Sequence, residues 1–269
     1  MTESSSTVRL PQLTIGVEND QPIIFGWSAY GPVSALFHGR LAIMACGGEP
    51  GRRIDGPVSG STYLVDKGLR RAALAAKGFM PEDEGDALYA AARTVPAGGL
   101  ILEVGSYCGK STIYLAAAAR EAGAQVVTVD HHRGSDENQA GWEHHDPTVV
   151  DPRTGRMDTL PFLRRNLEDA GVEDVVTLVI GRTEQVGGWW TTPVSLLFID
   201  GGHAEYQAQA DYEAWAHHVA PGGTLLIHDV FPDPADGGQA PYHIFLRALD
   251  DGFKERSRTG SLRVLDRVP

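Results

Sequence analysis

From about residue 80 onward the chain alternates short, nearly continuous apolar runs with longer stretches of helical spacing. The runs "LILEV" (100–104), "QVVTVD" (125–130), "VVTLVI" (175–180), "VSLLFID" (194–200) and "TLLIHD" (224–229) carry little polar alternation. That is the pattern of strands covered on both faces. Between them the spacing predicts helices over 110–122, ended by Gly123, near 158–170, ended by Gly171, and over 204–219. "MPEDEGDALYAAARTV" sets Pro81 and a group of acids ahead of an Ala-rich stretch, the residue order of a helix start. "PYHIFLRALDD" reads as a further helix, and "FKERSR" and "SLRVLDR" around Thr259-Gly260 as a closing hairpin. The alternation predicts an α/β fold, doubly wound around a mostly parallel sheet, over residues 80–269.

Two pieces stand outside this scheme. Residues 1–79 are rich in glycine and proline, with strands expected at "LTIGV" and "PIIFGW" and a helix near 62–76. They read as an N-terminal extension, a cap or dimer surface, so a homodimer is expected. The second piece, "HHRGSDENQAGWEHHDPTVVDPRTGR" (131–156), follows a strand's carboxyl end directly. Polar connections of this length in a compact domain are usually functional, and this one reads as a lid.

Composition narrows the function classes. The 35 acidic against 23 basic residues leave a formal charge of −12, against the basic surface that nucleic-acid binding needs. Cys46 and Cys108 lack paired metal or disulfide spacing, which fits a reducing compartment. The N-terminus has no basic segment followed by an apolar core, and "VSALFHGRLAIMAC" is too short, and too broken by His38 and Arg40, to span a bilayer. A cytoplasmic protein with no membrane or nucleic-acid partner is expected.

The stretch "ILEVGSYCGKSTIYLAAAA" (101–119) approaches a phosphate-binding P-loop but misses it. Only three residues separate Gly105 from Gly109-Lys110-Ser111, one too few for backbone N–H groups to wrap a phosphate. Tyr107 also stands where a dinucleotide loop needs glycine. What remains is a strand, Glu103, a tight turn and a helix start. In an open parallel sheet ligands bind beyond the carboxyl ends of the strands. Those ends carry Glu103 with the glycine turn, Asp130, Gly181-Arg182-Thr183-Glu184, Asp200-Gly201-Gly202-His203 and His228-Asp229. Asp130 can accept two ribose hydroxyls, and the free N–H groups around Ser111 can hold a carboxylate. A ligand with adenosine at one end and a carboxylate at the other is S-adenosylmethionine.

In order and spacing, "LEVGSYCGKSTIYLA", "VVTVD", "VTLVIGRTEQV", "LLFIDGGH" and "PGGTLLIHD" resemble the class I S-adenosylmethionine-dependent methyltransferases. Within them the chain is similar to the metal-dependent O-methyltransferases: catechol O-methyltransferase in "GSYCGKS", the mycinamicin- and novobiocin-type sugar enzymes in "DGGH". The resemblance covers 80–230 well, 231–269 loosely and 1–79 not at all. It implies a Rossmann-like sheet of seven strands. It implies a cofactor site at Glu103, Gly105, Ser106, Tyr107, Ser111, Asp130, His131, Gly181, Arg182, Thr183 and Asp200. It implies a divalent cation on Asp200, His228 and Asp229, with Mg2+ the first expectation and Mn2+ the second, easing deprotonation of the acceptor. His203 takes the position of the general base.

One departure matters. The family places an acid where this chain has His228, so the imidazole either turns away or tilts selectivity toward Mn2+, Fe2+ or Zn2+. Within the insert, Trp142, His144 and His145, with Glu143, suit a polyhydroxylated acceptor, whose ring faces stack on aromatics. The expected activity is O-methylation of a hydroxyl on a sugar, saccharide or glycosylated metabolite. A catechol-like phenol as acceptor and a non-catalytic nucleotide-binding module are the alternatives. The acidic balance and the lack of an Asn/Asp-Pro-Pro-Tyr-type motif disfavour a protein or RNA methyltransferase.

Overall fold

The computed structural model describes residues 8–10, 13–18, 21–28, 31–34, 65–142 and 144–268. The chain divides into two units, Met1–Ser59 and Gly60–Pro269. In the first, β1 (Val8–Leu10), β2 (Leu13–Glu18), β3 (Gln21–Ser28) and β4 (Gly31–Ser34) form an antiparallel sheet in chain order. β2 and β3 contain the expected runs "LTIGV" and "PIIFGW". Cys46, the "VSALFHGRLAIMAC" run from residue 35 on, Glu143 and the first residues of the helix expected near 62 lie outside the described residues.

The second unit begins with α1 (Lys67–Ala75), capped by Asp66, and α2 (Glu82–Ala92). Then follow β5 (Leu100–Val104), α3 (Lys110–Ala122), β6 (Gln125–Asp130), the two-residue strands β7 (Val150–Asp151) and β8 (Arg156–Met157), α4 (Leu160–Ala170) and β9 (Val176–Ile180). α5 (Thr183–Gly187), β10 (Val194–Ile199), α6 (Glu205–Trp215), β11 (Val219–Ile227), α7 (Ala240–Asp250), β12 (Phe253–Thr259) and β13 (Leu262–Arg267) complete it. The seven-stranded sheet runs β12-β13-β11-β10-β5-β6-β9, parallel except where β13 pairs antiparallel with β11 and β12. This is the doubly wound, Rossmann-like architecture expected from the alternation of runs. Two details differ from the sequence reading. Regular α-helix ends at Trp215 and a 3-10 turn, Ala216–His218, leads into β11, which starts ahead of "TLLIHD" at Val219, opposite Val194, with a register shift before Thr224 where Gly222 holds φ +75°. The short α5 has too few residues to show helical spacing.

Side chains of alternate strand residues enter separate cores on the two sheet faces. Ile101, Val126, Phe198 and Leu226 meet α2, α3 and α4; Leu102, Val104, Val127, Leu197 and Leu225 meet α6 and α7. In α3 every residue from Ser111 to Ala119 is buried, and the run of four alanines lets the helix lie close to its neighbours. Gly109 and Gly123, both left-handed, bound it at either end.

The same alternation sends Glu103 to the α3 face with Ile101, where a carboxylate is costly unless it is partnered. Its oxygens accept 2.6 Å hydrogen bonds from the Ser111 and Thr112 hydroxyls in the first turn of α3. Thr128 stands beside it in the β5–β6 register. Complete burial nevertheless pushes its carboxyl from 4.5 to about 7, against the opposing pull of these hydroxyls. A group whose folded pKa exceeds its unfolded value binds its proton more tightly in the folded state. Its contribution is therefore full below 4.5 and lost as pH rises through about 7. The loss is of order 3 kcal/mol. Urea unfolding of E103Q from pH 4.5 to 8 should lack this component, so that E103Q gains on the native chain as pH rises. Parallel pH profiles for the two proteins would rule it out.

Candidate functional site

The sheet reverses its winding direction between β5 and β10, and the loop after β5 crosses the start of the loop after β10 there. The Gly105 N–H bonds to Val129 O and the Asp200 N–H to Val104 O, at 3.0 and 2.9 Å. A Cβ on Gly105 would stand 2.2 Å from the Asp200 carbonyl oxygen, and its φ is +85°. Only glycine satisfies both conditions. Beyond it, Asp130 at the tip of β6 gathers the loop. Its Oδ2 accepts from the N–H groups of Ser106 and Tyr107 at 3.1 and 3.0 Å, and its Oδ1 from His132 N at 2.7 Å. Tyr107 and His132 both hold positive φ, +46° and +58°. Strain of this kind persists only where surrounding bonds over-determine it, as Asp130 does here.

A second cluster forms at the carboxyl ends of β10 and β11. The His228 ring is buried, with Nδ1 2.9 Å from Asp200 Oδ1 and 3.3 Å from Asp229 Oδ2. Its Nε2 lies 2.7 Å from Glu84 Oε2, at the start of α2. Asp229 holds φ +55°, which turns its carboxylate toward both histidines, and His203 Nε2 stands 3.0 Å from its Oδ2. The other His203 nitrogen is 3.4 Å from Glu137 Oε1. Burial disfavours charge on His228, but the carboxylates of Asp200, Asp229 and Glu84 outweigh it and raise its pKa well above 6.5. Burial likewise opposes charge on His203, and Asp229 and Glu137 reverse the balance in the same direction. Burial would raise Asp229, yet the two imidazoles hold it below the usual carboxylate range.

Asp200, His228 and Asp229 offer one ligand atom each, all within 4.8 Å of one another. Two hard oxygens and one imidazole nitrogen form a chelating set for a divalent transition ion. The His228 ring faces carboxylates from both nitrogens, Nδ1 hydrogen-bonded to Asp200 and Nε2 beside Glu84. Binding there would displace the His228 proton.

Both clusters line one cavity of about 560 Å3. Gly105, Ser106, Tyr107, Ser111, Asp130, His131, Gly181, Arg182, Thr183, Asp200, His203, His228 and Asp229 all contribute to its wall. Glu103 does not; it lies behind the loop, on the Ser111 and Thr112 hydroxyls. Of the insert 131–156, His131, Gly134, Ser135, Glu137, Asn138 and His144 line the cavity, while the β7–β8 hairpin does not. Tyr206 donates to Asp136 on one side, and Lys77 pairs with Asp146 on the other. Of its three singled-out residues only His144 reaches the cavity, its ring edge-on to Phe79 at 5.4 Å. Trp142 is 63% exposed, and His145 Nδ1 stands 2.9 Å from Asn138 O, away from the wall. Trp190 packs edge-on against Trp215, while Trp189 stays exposed.

Three cavity-related carboxylates were not read from the sequence. Glu137 was one polar residue among many in the insert. Asp211, on α6, is pushed up to about 7 by burial, against the Thr183 hydroxyl, and faces Gly201. Glu84 read as one of three acids serving the dipole of α2. Its spacing from the buried Leu88, Ala91 and Ala92 places it on the core stripe, and that was the available signal.

Residues 102–230 match the family model of a methyltransferase domain. Among solved structures, cofactor-bound Rv0187 from MTB is 19% identical, the match covering 74% of this chain and 86% of that one, with a TM-score of 0.51. TomG, an O-methyltransferase of tomaymycin synthesis from Streptomyces achromogenes in complex with SAM, gives 19%, 76%, 91% and 0.51. The O-methyltransferase NovP gives 15%, 70%, 81% and 0.51. At these identities the likeness is one of fold. No helix among the described residues is long and apolar enough to cross a membrane. Matched domain, sheet order and the cavity at the winding reversal agree: residues 102–230 form a methyltransferase domain, with the fold of S-adenosylmethionine-bound O-methyltransferases such as TomG.

Proposed function

We propose that this enzyme transfers the methyl group of S-adenosylmethionine to a hydroxyl of a sugar or glycosylated metabolite, assisted by a divalent cation on Asp200, His228 and Asp229. The observation that carries this reading is the meeting of two carboxylates and two imidazoles on the wall that also holds the Gly105–Ser111 loop. The cofactor lies along that loop. The N–H groups at the start of α3, near Ser111, take its carboxylate; Asp130 and His131 flank the ribose; Gly181, Arg182 and Thr183 close around the adenine. Glu103 acts from behind, holding the helix start through Ser111 and Thr112.

Methyl transfer forms an oxygen–carbon bond as the sulfonium carbon–sulfur bond breaks, so the acceptor must be aligned in line and lose a proton. His203 receives that proton. Carboxylates face both its nitrogens, Asp229 at 3.0 Å and Glu137 at 3.4 Å, and stabilise the imidazolium that results. A cation bound at Asp200, His228 and Asp229 would supply positive charge where the acceptor oxygen becomes anionic. Its donor set, with an imidazole, favours Mn2+, Fe2+ or Zn2+ over Mg2+. His144 and Phe79 offer ring faces to the acceptor, and Glu137, Asn138 and Asp236 offer hydroxyl partners. A second reading, a catechol-like phenol, draws support from the aromatic group formed by Phe79, Tyr107 and His144. A screen of saccharide and catechol acceptors with labelled cofactor separates the two.

Exhaustive chelation should abolish turnover, and Mn2+ should restore it better than Mg2+. Full activity after chelation would leave the three residues as direct orienters of the acceptor. H203A should lower kcat by about 100- to 10,000-fold while cofactor affinity is kept. In the native enzyme the rate should rise with pH through an inflection above 6.5, because His203 must be unprotonated and its pKa is raised; H203A should lack that inflection. Near-normal turnover in H203A would pass the role to another group, with His144 on the same wall as the next to replace.

A further inference from the structure

Asp211 is a carboxyl buried in the wall of the cavity, only 5% exposed, and the mechanism above leaves it without a role. It comes from α6, whose residues Tyr206, Gln207, Ala210 and Asp211, three and four apart, face the cavity together. Its approach to the wall is open because residue 201 is glycine: a Cβ there would stand 2.1 Å from Asp211 Oδ2. The Thr183 hydroxyl, at the start of α5, donates to the carboxyl and itself accepts from Trp215 Nε1 at 2.7 Å. No further donor reaches Asp211 among the described residues. A carboxyl has room for about four donors, and one so buried is costly when left with a single partner. The cavity is the side from which a further donor can come.

We propose that Asp211 determines the choice of nucleobase in the cofactor, accepting a hydrogen bond from the exocyclic amine of adenine when S-adenosylmethionine binds. This rests on the cofactor placement given above, in which Gly181, Arg182 and Thr183 close around the adenine. Thr183 and Asp211 are bonded to each other, so a ring held against the first has its edge within reach of the second. Along that edge the exocyclic amine is the group with protons to give, while the ring nitrogens accept. The match does not depend on ionisation, because a carboxyl keeps an accepting oxygen whether charged or neutral. Thr183, fixed by Trp215, holds the carboxyl from behind and leaves its remaining lone pairs to the ligand. Glu184 is the competing acceptor on the same wall, but its side chain is exposed and water can supply its donors.

The test is calorimetric titration of the full chain with S-adenosylhomocysteine and with its 6-deamino analogue, which carries purine in place of adenine. The native protein should bind the first about 10- to 100-fold more tightly, since the analogue leaves a buried carboxyl without its donor. D211A should erase that preference and bind both ligands with nearly equal affinity. A merely structural loss would instead weaken both alike and keep their ratio. D211L, with the same branching and no polar atom, stands in should D211A lose its melting transition. An undiminished preference in D211A or D211L would overturn the proposal, as would native affinities that are already equal. Loss of the preference in E184Q, with D211A unchanged, would overturn it too and move the role to Glu184. A native protein that binds neither ligand would sink the cofactor reading, and this assignment with it.

Discussion

The site depends on a buried imidazole among three carboxylates. His228 comes from the end of β11, Asp200 from the end of β10, Glu84 from α2 and Asp229 from the residue next in chain. A charge in that position is tolerated only because it is matched, and removing one partner leaves the others uncompensated in a poorly hydrated place. The cluster therefore ties helix, strand ends and the β12–β13 turn into one unit, because Glu84 also accepts from Ser261. It also restrains Asp229, whose positive φ would otherwise relax.

The cofactor side is governed by a different constraint, the crossing of two backbones where the sheet changes direction. The loops after β5 and β10 pass so closely at Gly105 and Asp200 that no side chain fits between them. Asp130 then gathers the N–H groups of Ser106 and Tyr107 and leaves the rest of the loop facing the cavity. A carboxylate already bonded to backbone loses little entropy when a ligand arrives, which is the physical content of preorganisation.

The insert is held by buried packing of Val149, with Met157, against Cys108, and by contacts at the surface. Lys77 to Asp146 and Tyr206 to Asp136 are exposed contacts, and bonds of this kind contribute between nothing and about 1 kcal/mol each.

The fold class, the strands and the polar residues at their carboxyl ends were legible in the sequence because each is written locally. Apolar runs give strands, spacing and glycine give helix ends, and a doubly wound sheet sends every strand-end residue to one side. Asp130, Asp200, His203, His228 and Asp229 could be named on that basis alone. What sequence spacing could not express is which distant groups meet. That Glu103 supports α3 from behind the loop, that Asp130 bonds the turn after β5, and that Trp142 and His145 turn away from the cavity all depend on tertiary placement. Glu84 is the sharpest case. It lies far from His228 in sequence, and its helix-start position has its own local explanation in the dipole. Only the packing of α2 over the end of β11 makes it a partner of the site, because a buried charge is defined by what surrounds it and not by its neighbours in the chain.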